Sequence, residues 1–290
     1  MTLKCAYQQG IERLRSARVP EPELDAWYLL EYVTGIGHAA YYADPEKEVP
    51  EEQMEQYDRY LAIREGRVPL QHITGRQEFM GLEFLVNRDV LIPRQDTETL
   101  VEEALKLLKD GSVPKTGGRL RVLDLCTGSG CILLSVLRYA GQDIDGEGSD
   151  LSGSALQTAR ENAARLGIEA RFTESDLFEN LKERYSMILS NPPYIESSAI
   201  GKLQEEVRLH DPLSALDGGP DGLTFYRKIT DESREHLEQG GYLMFETGCS
   251  QAEAVTDMMR RAGFCGITVK RDLAGLDRVV YGRYIRQEEK

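Results

Sequence analysis

The feature that most constrains the fold is a regular alternation of strand-like and helix-like segments from about residue 93 onwards. Short apolar runs bounded by turn residues predict strands at 119–125, 143–150, 170–176, 185–191, 242–248, 264–270 and 278–285. Helical patterns such as 131–140 and 155–167 lie between them. This alternation predicts an α/β fold with a mostly parallel sheet and helices on both faces. The last two strands have only a short linker and should pair antiparallel, and strand 143–150 is unusually acidic.

The first quarter of the chain has a different pattern, with helices and no strands. Apolar residues at helical spacing predict two helix faces, formed by Leu24, Trp27 and Tyr28 and by Met54, Tyr57 and Leu61. A short hairpin with Gly81 near its turn is predicted to follow. We therefore expect a helical domain at 1–75, a β-hairpin linker at 76–92 and an α/β domain at 93–290.

Charge and cysteine usage exclude several classes of function. The net charge is −14 over 290 residues and no basic stripe is visible, so no direct nucleic-acid contact is expected. The five cysteines are scattered, which predicts reduced thiols and no metal site. No signal-peptide core and no membrane-length apolar run is present, so we expect a cytoplasmic protein without membrane contact. No oligomerisation signal is visible, and a monomer is expected.

Three turns follow successive predicted strands, at the edge where parallel sheets bind ligands. The stretch 124–131, DLCTGSGC, has glycines that let the backbone approach a ligand, and Leu133 in place of a third glycine argues against NAD. Asp150 can bind a ribose diol, unless it, Ser152 or Ser154 only caps the next helix. Asp176 can bind a base amino group, or be a solvated loop acid, and Leu177 can pack on the base.

A glycine turn followed by two acidic turns suits a nucleoside without a phosphate, and S-adenosylmethionine is the common ligand of that kind. The candidate cofactor-binding residues are Cys126, Thr127, Gly128, Ser129, Gly130, Asp150, Asp176, Leu177 and Asn191. A further turn at the end of strand 185–191 holds Asn191, Pro192, Pro193 and Tyr194. Two prolines end the strand and make this turn rigid.

Together these turns resemble those of class I S-adenosylmethionine-dependent methyltransferases. The stretches 69–102, 190–195, 210–229, 245–248 and 271–283 narrow the resemblance to the peptide chain release factor glutamine methyltransferase family, PrmC or HemK. The resemblance implies a Rossmann-like seven-stranded sheet, S-adenosylmethionine as the cofactor and S-adenosylhomocysteine as its product. It also implies methyl transfer to N5 of the glutamine in the Gly-Gly-Gln motif of a release factor. The N-terminal helices would then bind the release factor.

Two positions depart from the patterns of such enzymes. The family often has PRPETE where this chain has PRQDTE at 93–98, so Gln95 and Asp96 are expected to loosen that loop. Cys126 stands where many methyltransferases have glycine, so we expect a backbone angle there that a β-carbon tolerates.

The resemblance also places residues outside the turns near the site. Arg94, Thr97 and Glu98 are implied to lie near the methionine end of the cofactor, and the alternative for Thr97 and Glu98 is a helix start with an acidic first turn. Glu246 ends the fifth strand and either supports the site or is a simple strand-end acid.

The expected catalytic residues are Asn191, Pro192 and Tyr194, and the substrate-binding set adds Pro193. An amide nitrogen has a delocalised lone pair that must be aimed at the methyl group. The Asn191 carboxamide oxygen and the Pro192 carbonyl can each accept one N–H and so orient it without a titrating base. Tyr194 offers a flat face for the amide.

Other interpretations remain at this stage. The same turn occurs in enzymes that methylate amino groups of adenine or guanine in nucleic acids, where it would act on a flipped base. A scaffold that binds the cofactor without catalysis, and an Asn-Pro turn without function, are the remaining alternatives.

Overall fold

The structure is a computed structural model that describes residues 1–115, 118–141 and 143–285. Over these residues the helices are α1 (Leu3–Ser16), α2 (Pro22–Thr34), α3 (His38–Ala43), α4 (Glu51–Glu65), α5 (Leu70–Thr74), α6 (Glu98–Lys109), α7 (Cys131–Tyr139), α8 (Gly153–Leu166), α9 (Glu205–His210), α10 (Thr224–His236) and α11 (Ala252–Arg261). The strands are β1 (Arg76–Phe79), β2 (Leu82–Leu85), β3 (Leu120–Leu125), β4 (Ile144–Asp150), β5 (Arg171–Glu174), β6 (Tyr185–Ser190), β7 (Leu237–Glu246), β8 (Phe264–Arg271) and β9 (Asp277–Tyr284).

The chain forms two compact units, and the first consists of Met1–Arg76 with Gln204–His210. Helices α1, α2 and α4 bury one face each in its core. The helices come close at Gly10, because a Cβ there would lie 2.1 Å from the Tyr57 hydroxyl oxygen. That hydroxyl donates a 3.0 Å hydrogen bond to the carbonyl of Ala26, which satisfies a buried polar group.

One helix of this unit buries a different side from the one that its apolar spacing suggests. Met54, Tyr57 and Leu61 of α4 are buried, but Leu24 and Tyr28 of α2 are 45% and 47% exposed. The buried residues of α2 are Pro22, Asp25, Ala26, Trp27, Leu29 and Leu30. Asp25 is one of these buried residues and accepts a 2.7 Å hydrogen bond from Arg64. Because a charged residue occupies a core position, the apolar spacing of the sequence does not show which side of this helix is buried.

Helix α9 belongs to the first unit, although the chain before and after it belongs to the second. Glu206 of α9 accepts hydrogen bonds from Arg64 at 3.0 Å and from Arg67 at 2.6 Å. Arg64, Glu206 and Asp25 are all buried. A buried charge is costly unless it is paired, and here each charge lies beside an opposite one. The predicted helical domain at 1–75 lacks this helix, and the division at residues 75 and 92 stays a prediction.

The second unit contains one large sheet in the strand order β5-β4-β3-β6-β7-β9-β8. The first five of these strands run parallel, and β9 pairs antiparallel with β7 and β8. Helices α6 and α7 cover one face of the sheet, and α10 and α11 cover the other. The predicted α/β fold with a seven-stranded, mostly parallel sheet is confirmed.

The acidic strand β4 lies inside this sheet because its central acid is fully paired. Glu147 is 7% exposed and accepts hydrogen bonds from the Tyr185 hydroxyl at 2.9 Å, Thr173 at 2.7 Å and Arg171 at 3.1 Å. Strand β7 begins at Leu237, earlier than predicted, because the chain continues through Gly240 with a shift of register against β6. Gly240 and the next glycine look like a turn in the sequence.

The predicted hairpin is formed by β1 and β2. Its turn residues Met80 and Gly81 have φ angles of 53° and 70°, as a tight two-residue hairpin turn requires. Glu98 accepts a 2.6 Å hydrogen bond from the backbone N–H of Met80, so it supports this turn. None of the helices in the described ranges is long and apolar enough to cross a membrane.

Candidate active site

A cavity lies at the carboxyl edge of the parallel strands in the second unit. The ends of β4, β3 and β6 are level there, since Leu125 is paired with both Ser149 and Ser190. The predicted residues that line the cavity are Cys126, Thr127, Gly128, Ser129, Asp150, Asp176, Leu177, Asn191 and Pro193. Four connections from different parts of the chain are thereby brought to one place, as expected for an open α/β sheet.

The glycine turn binds the acid at the end of β4. Asp150 accepts a hydrogen bond from the backbone N–H of Gly128 at 2.9 Å and another from Ser152 at 2.9 Å. Ser152 caps α8 by accepting from Ala155, so Asp150 is not the cap of that helix. Burial raises the pKa of Asp150, and hydrogen bonds from the backbone of Ser152, Gly128 and Leu151 oppose this rise. Each carboxylate oxygen keeps a lone pair for a further donor.

The glycines have different roles in this turn. A Cβ on Gly128 would meet no atom within 4 Å, so the space beside this backbone is open to a ligand. Gly130 has a φ of 80° and is the N-cap of α7, and a Cβ there would lie 3.2 Å from the Cβ of Ala159. Gly130 therefore serves the packing of two helices and does not line the cavity, where it was predicted to bind the cofactor.

Cys126 corrects one expectation. Its φ is 60°, in the left-handed region that disfavours residues with a β-carbon. The expected tolerant backbone angle is therefore wrong, and the chain keeps the glycine-like conformation with a cysteine in it. Burial and then Asp150 raise the pKa of the thiol, so it stays protonated.

The third turn holds one exposed and one buried residue. Asp176 is exposed and lines the cavity. Leu177 is 7% exposed, with a φ of 49°, and packs in the core beneath the site while also facing the cavity. The pair therefore offers an accessible acid beside an apolar surface, an arrangement that suits a heterocyclic base.

The turn at 191–194 is held from both sides. Asn191 is half-buried and its Nδ2 lies 3.5 Å from the Thr97 hydroxyl oxygen. Pro192 and Pro193 are buried, and of the two only Pro193 lines the cavity. The Tyr194 hydroxyl lies 3.4 Å from Oε1 of Glu246, and Tyr194 is not among the residues that line the cavity. Burial and then Glu246 raise the pKa of Tyr194.

The stretch 217–222 also supports this turn, and the sequence patterns did not reveal it. A Cβ on Gly218 would lie 2.7 Å from Cα of Tyr194, so the two backbones touch. The Gln251 side chain donates a 2.9 Å hydrogen bond to the Tyr194 carbonyl. The signal for Gly218 was a cluster of glycines in DGGPDG, which is equally typical of a solvent-exposed loop.

The predicted residues in the segment before α6 have two different roles, because some line the cavity and others hold neighbouring segments. Thr97 is buried and lines the cavity, as does Arg94, which donates a 3.0 Å hydrogen bond to Asp211. Glu98 does not line the cavity, because it supports the hairpin turn. Asp96 forms a 3.1 Å ion pair with Arg278, and the expected loosening of this loop by Gln95 and Asp96 stays a prediction.

Two buried acids lie beneath the site. Asp124 accepts a 2.6 Å hydrogen bond from the Thr127 hydroxyl and so shapes the glycine turn, and burial raises its pKa to about 7. Glu246 is 2% exposed, and burial raises its pKa to about 7 against the opposing effects of Thr97 and Arg278. The sequence motif contained Asp124 without suggesting this structural role.

Two family models match different parts of the chain. Residues 6–75 match the family model described as the PrmC N-terminal domain, and residues 99–208 match the methyltransferase small domain. A methyltransferase structure from Pyrococcus furiosus has the same fold, with a TM-score of 0.51 at 13% identity over 72% of this chain and 91% of that one.

Curated relatives extend the likeness over almost the whole chain. A protein named release factor glutamine methyltransferase from Geobacter sulfurreducens is 40% identical over 277 residues, which cover 95% of this chain and 92% of that one. One of the same name from Caulobacter vibrioides is 39% identical over 97% of this chain and 96% of its own length. The chain belongs to the release factor glutamine methyltransferase family.

Proposed function

We propose that this chain transfers a methyl group from S-adenosylmethionine to the side-chain amide nitrogen, N5, of the glutamine in the Gly-Gly-Gln motif of peptide chain release factors. The observation that carries the proposal is the half-buried Asn191 carboxamide, which lies in the wall of a cavity shared with the glycine turn and Asp150. Identity of 40% to a release factor glutamine methyltransferase over nearly its full length supports the same substrate.

The residues that line the cavity fit S-adenosylmethionine. Asp150 keeps lone pairs for the ribose hydroxyls, Asp176 offers an exposed carboxylate for a base amino group, and Gly128 leaves open space beside the backbone. When bound, this cofactor supplies an electrophilic methyl group on a positively charged sulfur. Leu177 adds an apolar surface for the base. S-adenosylhomocysteine is then the product.

The turn at 191–194 orients the nucleophile. The Asn191 oxygen and the Pro192 carbonyl each accept one N–H of the substrate amide, so the nitrogen lone pair points at the methyl group. The buried prolines hold both acceptors in place before the substrate arrives. Tyr194 supports the end of the turn through its contact with Glu246. The proton of the methylated nitrogen is released to water.

A labelled methyl-transfer assay tests the proposal with three substrates: a purified bacterial release factor, the same factor with its motif glutamine changed to alanine, and duplex DNA. We expect label on the intact factor alone. Label on DNA would replace the substrate with a nucleic-acid amino group, and label on the alanine variant would move the reaction to another residue. No label on any of them would reject the proposed transfer.

We further propose that residues 1–75 form the domain that grips the release factor, joined through the linker 76–92 to a catalytic domain at 93–290. Exposed tyrosines in this first part support a docking role, since Tyr42 is 75% and Tyr28 is 47% exposed. Replacing both with serine should raise the KM for the release factor while kcat and cofactor affinity stay unchanged. Because its substrate is a translation factor, the proposed place of action is the cytoplasm.

A further inference from the structure

The buried side chain of Asn162 joins three segments around the cavity. Asn162 lies in α8 and is 0% exposed. Its Oδ1 accepts a 2.6 Å hydrogen bond from the backbone N–H of Leu85, and its Nδ2 donates a 3.0 Å hydrogen bond to the Leu85 carbonyl. The same Nδ2 donates a second 3.0 Å hydrogen bond to the carbonyl of Ser129. One carboxamide therefore connects α8 with the end of β2 and with the glycine turn.

Both segments that Asn162 connects to α8 belong to the wall of the cavity. Ser129 of the glycine turn lines it directly, and the chain that follows β2 lines it with residues 89–91. Asn87, between β2 and these residues, donates a 3.0 Å hydrogen bond to the Thr158 hydroxyl, one turn before Asn162 in α8. Because residues four apart share one side of a helix, a single face of α8 holds two parts of the cavity wall.

The glycine turn depends on contacts from outside for its shape. Ser129 stands between Gly128 and Gly130, whose φ angles are 54° and 80°. Glycine adopts such angles and several others at similar cost, so local sterics do not fix the direction of the Ser129 carbonyl. Asp150 holds one side of the turn by accepting from the N–H of Gly128. Asn162 holds the other side at the Ser129 carbonyl.

We propose that Asn162 is a positioning residue that fixes the glycine turn relative to the chain after β2, and so keeps the cavity in the shape that binds the cofactor. The inference rests on the proposed function, because it takes S-adenosylmethionine as the ligand of this cavity. Both protons of Nδ2 are used and Oδ1 faces an N–H, so only a carboxamide in the observed orientation satisfies all three backbone groups. A carboxylate of the same shape lacks both donors.

Binding of the cofactor and order at the end of β2 should then depend on each other. A cofactor that binds the ordered glycine turn favours the conformation in which Ser129 accepts from Asn162. The same carboxamide then stays in place for the backbone of Leu85. Because such coupling is reciprocal, the cofactor should stabilise the Leu85 hydrogen bonds as much as those bonds favour cofactor binding.

Calorimetry with S-adenosylmethionine measures the first half of this coupling. Asn162→Asp keeps an acceptor for the Leu85 N–H but loses both donors, so the glycine turn should occupy its binding shape less often. If that shape falls to about a tenth of the population, the Kd rises about 10-fold. Tyr139→Phe is the matched control, because it removes a 2.8 Å hydrogen bond from α7 to the hairpin at Met80 without contact to the glycine turn. It should bind the cofactor with the natural Kd.

Hydrogen exchange at Leu85 measures the second half. Phe84–Leu85 is the one Phe-Leu pair in the sequence, so labelling with carbonyl-¹³C phenylalanine and ¹⁵N leucine isolates the Leu85 N–H in an NMR spectrum. In the natural protein and in Tyr139→Phe, S-adenosylmethionine should slow the exchange of this proton with water. In Asn162→Asp the cofactor should have no such effect. The measurement on the natural protein tests the coupling even if Asn162→Asp does not fold.

Three results would each overturn the inference: an unchanged Kd in folded Asn162→Asp, a slowing of Leu85 exchange that persists in this variant, or no slowing in the natural protein. An equal rise of the Kd in Tyr139→Phe would also overturn it, because any loosening of the hairpin would then suffice. A natural protein that binds S-adenosylmethionine but methylates no release factor rejects the proposed function alone, and the Kd of Asn162→Asp still decides the role of Asn162. No binding by the natural protein rejects both.

Discussion

At the scale of single residues, the proposed role of Asn191 requires a rigid backbone and one acceptor for the substrate amide. We expect Asn191→Ala to lower kcat by about 100-fold or more, because the substrate amide loses an orienting hydrogen bond in the transition state. Asn191→Asp keeps an acceptor in the same place and should retain more transfer than the alanine variant. Calorimetry with S-adenosylmethionine provides the control, since both variants should still bind it. Full transfer by Asn191→Ala would contradict the mechanism.

A second prediction for a single residue is that substitutions of Cys126 change the stability of the fold. A β-carbon at a φ of 60° is strained, and a β-branched side chain is strained most. Cys126→Val should lower the free energy of unfolding by about 2 kcal/mol, whereas Cys126→Gly should change it by less than about 1 kcal/mol. Urea titrations measure both values. Cys265→Val, at an exposed position of strand β8, is the matched control and should be nearly neutral. Equal losses in Cys126→Val and the control would refute the strain.

At the scale of elements, the reactive turn depends on the backbone of a second loop. Gly218→Ala would place a β-carbon 2.7 Å from Cα of Tyr194 and 2.9 Å from the carbonyl oxygen of Pro193, so the turn must move. We expect kcat to fall by about 10- to 100-fold, with cofactor binding retained. Gly201→Ala is the control, because a Cβ there meets no atom within 4 Å. If both variants keep full activity, the turn does not need this support.

At this scale, the elements of the sheet could be predicted from the sequence, whereas contacts between distant segments could not. Strands and helices of the sheet are predictable because each buries a local apolar pattern, and the turns at their ends follow from glycine, proline and acid. The contact of Gly218 with Tyr194 is not predictable, since the two residues are distant in the sequence and no local pattern indicates that they meet. The left-handed φ of Cys126 is likewise hidden, because cysteine carries no turn signal.

At the scale of the whole molecule, Glu206 holds α9 in the first unit. Burial works to raise its pKa, but hydrogen bonds from Arg67, the backbone and Arg64 outweigh this and lower it to about 2. A depressed pKa means that the ionised group stabilises the fold above its unfolded pKa, and that this stability is lost as the pH falls towards 2.

Glu206→Gln should therefore lower the free energy of unfolding at neutral pH by up to about 3 kcal/mol, because Arg64 and Arg67 lose a buried partner. The difference from the natural protein should shrink as the pH is lowered. The single tryptophan, Trp27, lies in this unit and reports its unfolding by fluorescence. Glu205→Gln removes the neighbouring, largely exposed charge and should have little effect. A difference that is constant with pH would exclude the ion pairs as its cause.

The position of α9 has a consequence for how the protein is made. The two partners Arg64 and Glu206 stand 142 positions apart in the chain. During synthesis, the N-terminal helices emerge from the ribosome long before the helix that completes their charged cluster. Arg64 can pair only with Asp25 until the first four parallel strands of the sheet, and then α9 with Glu206, have been translated. The N-terminal unit is thus translated first but receives its last helix only after a large part of the second unit has been translated.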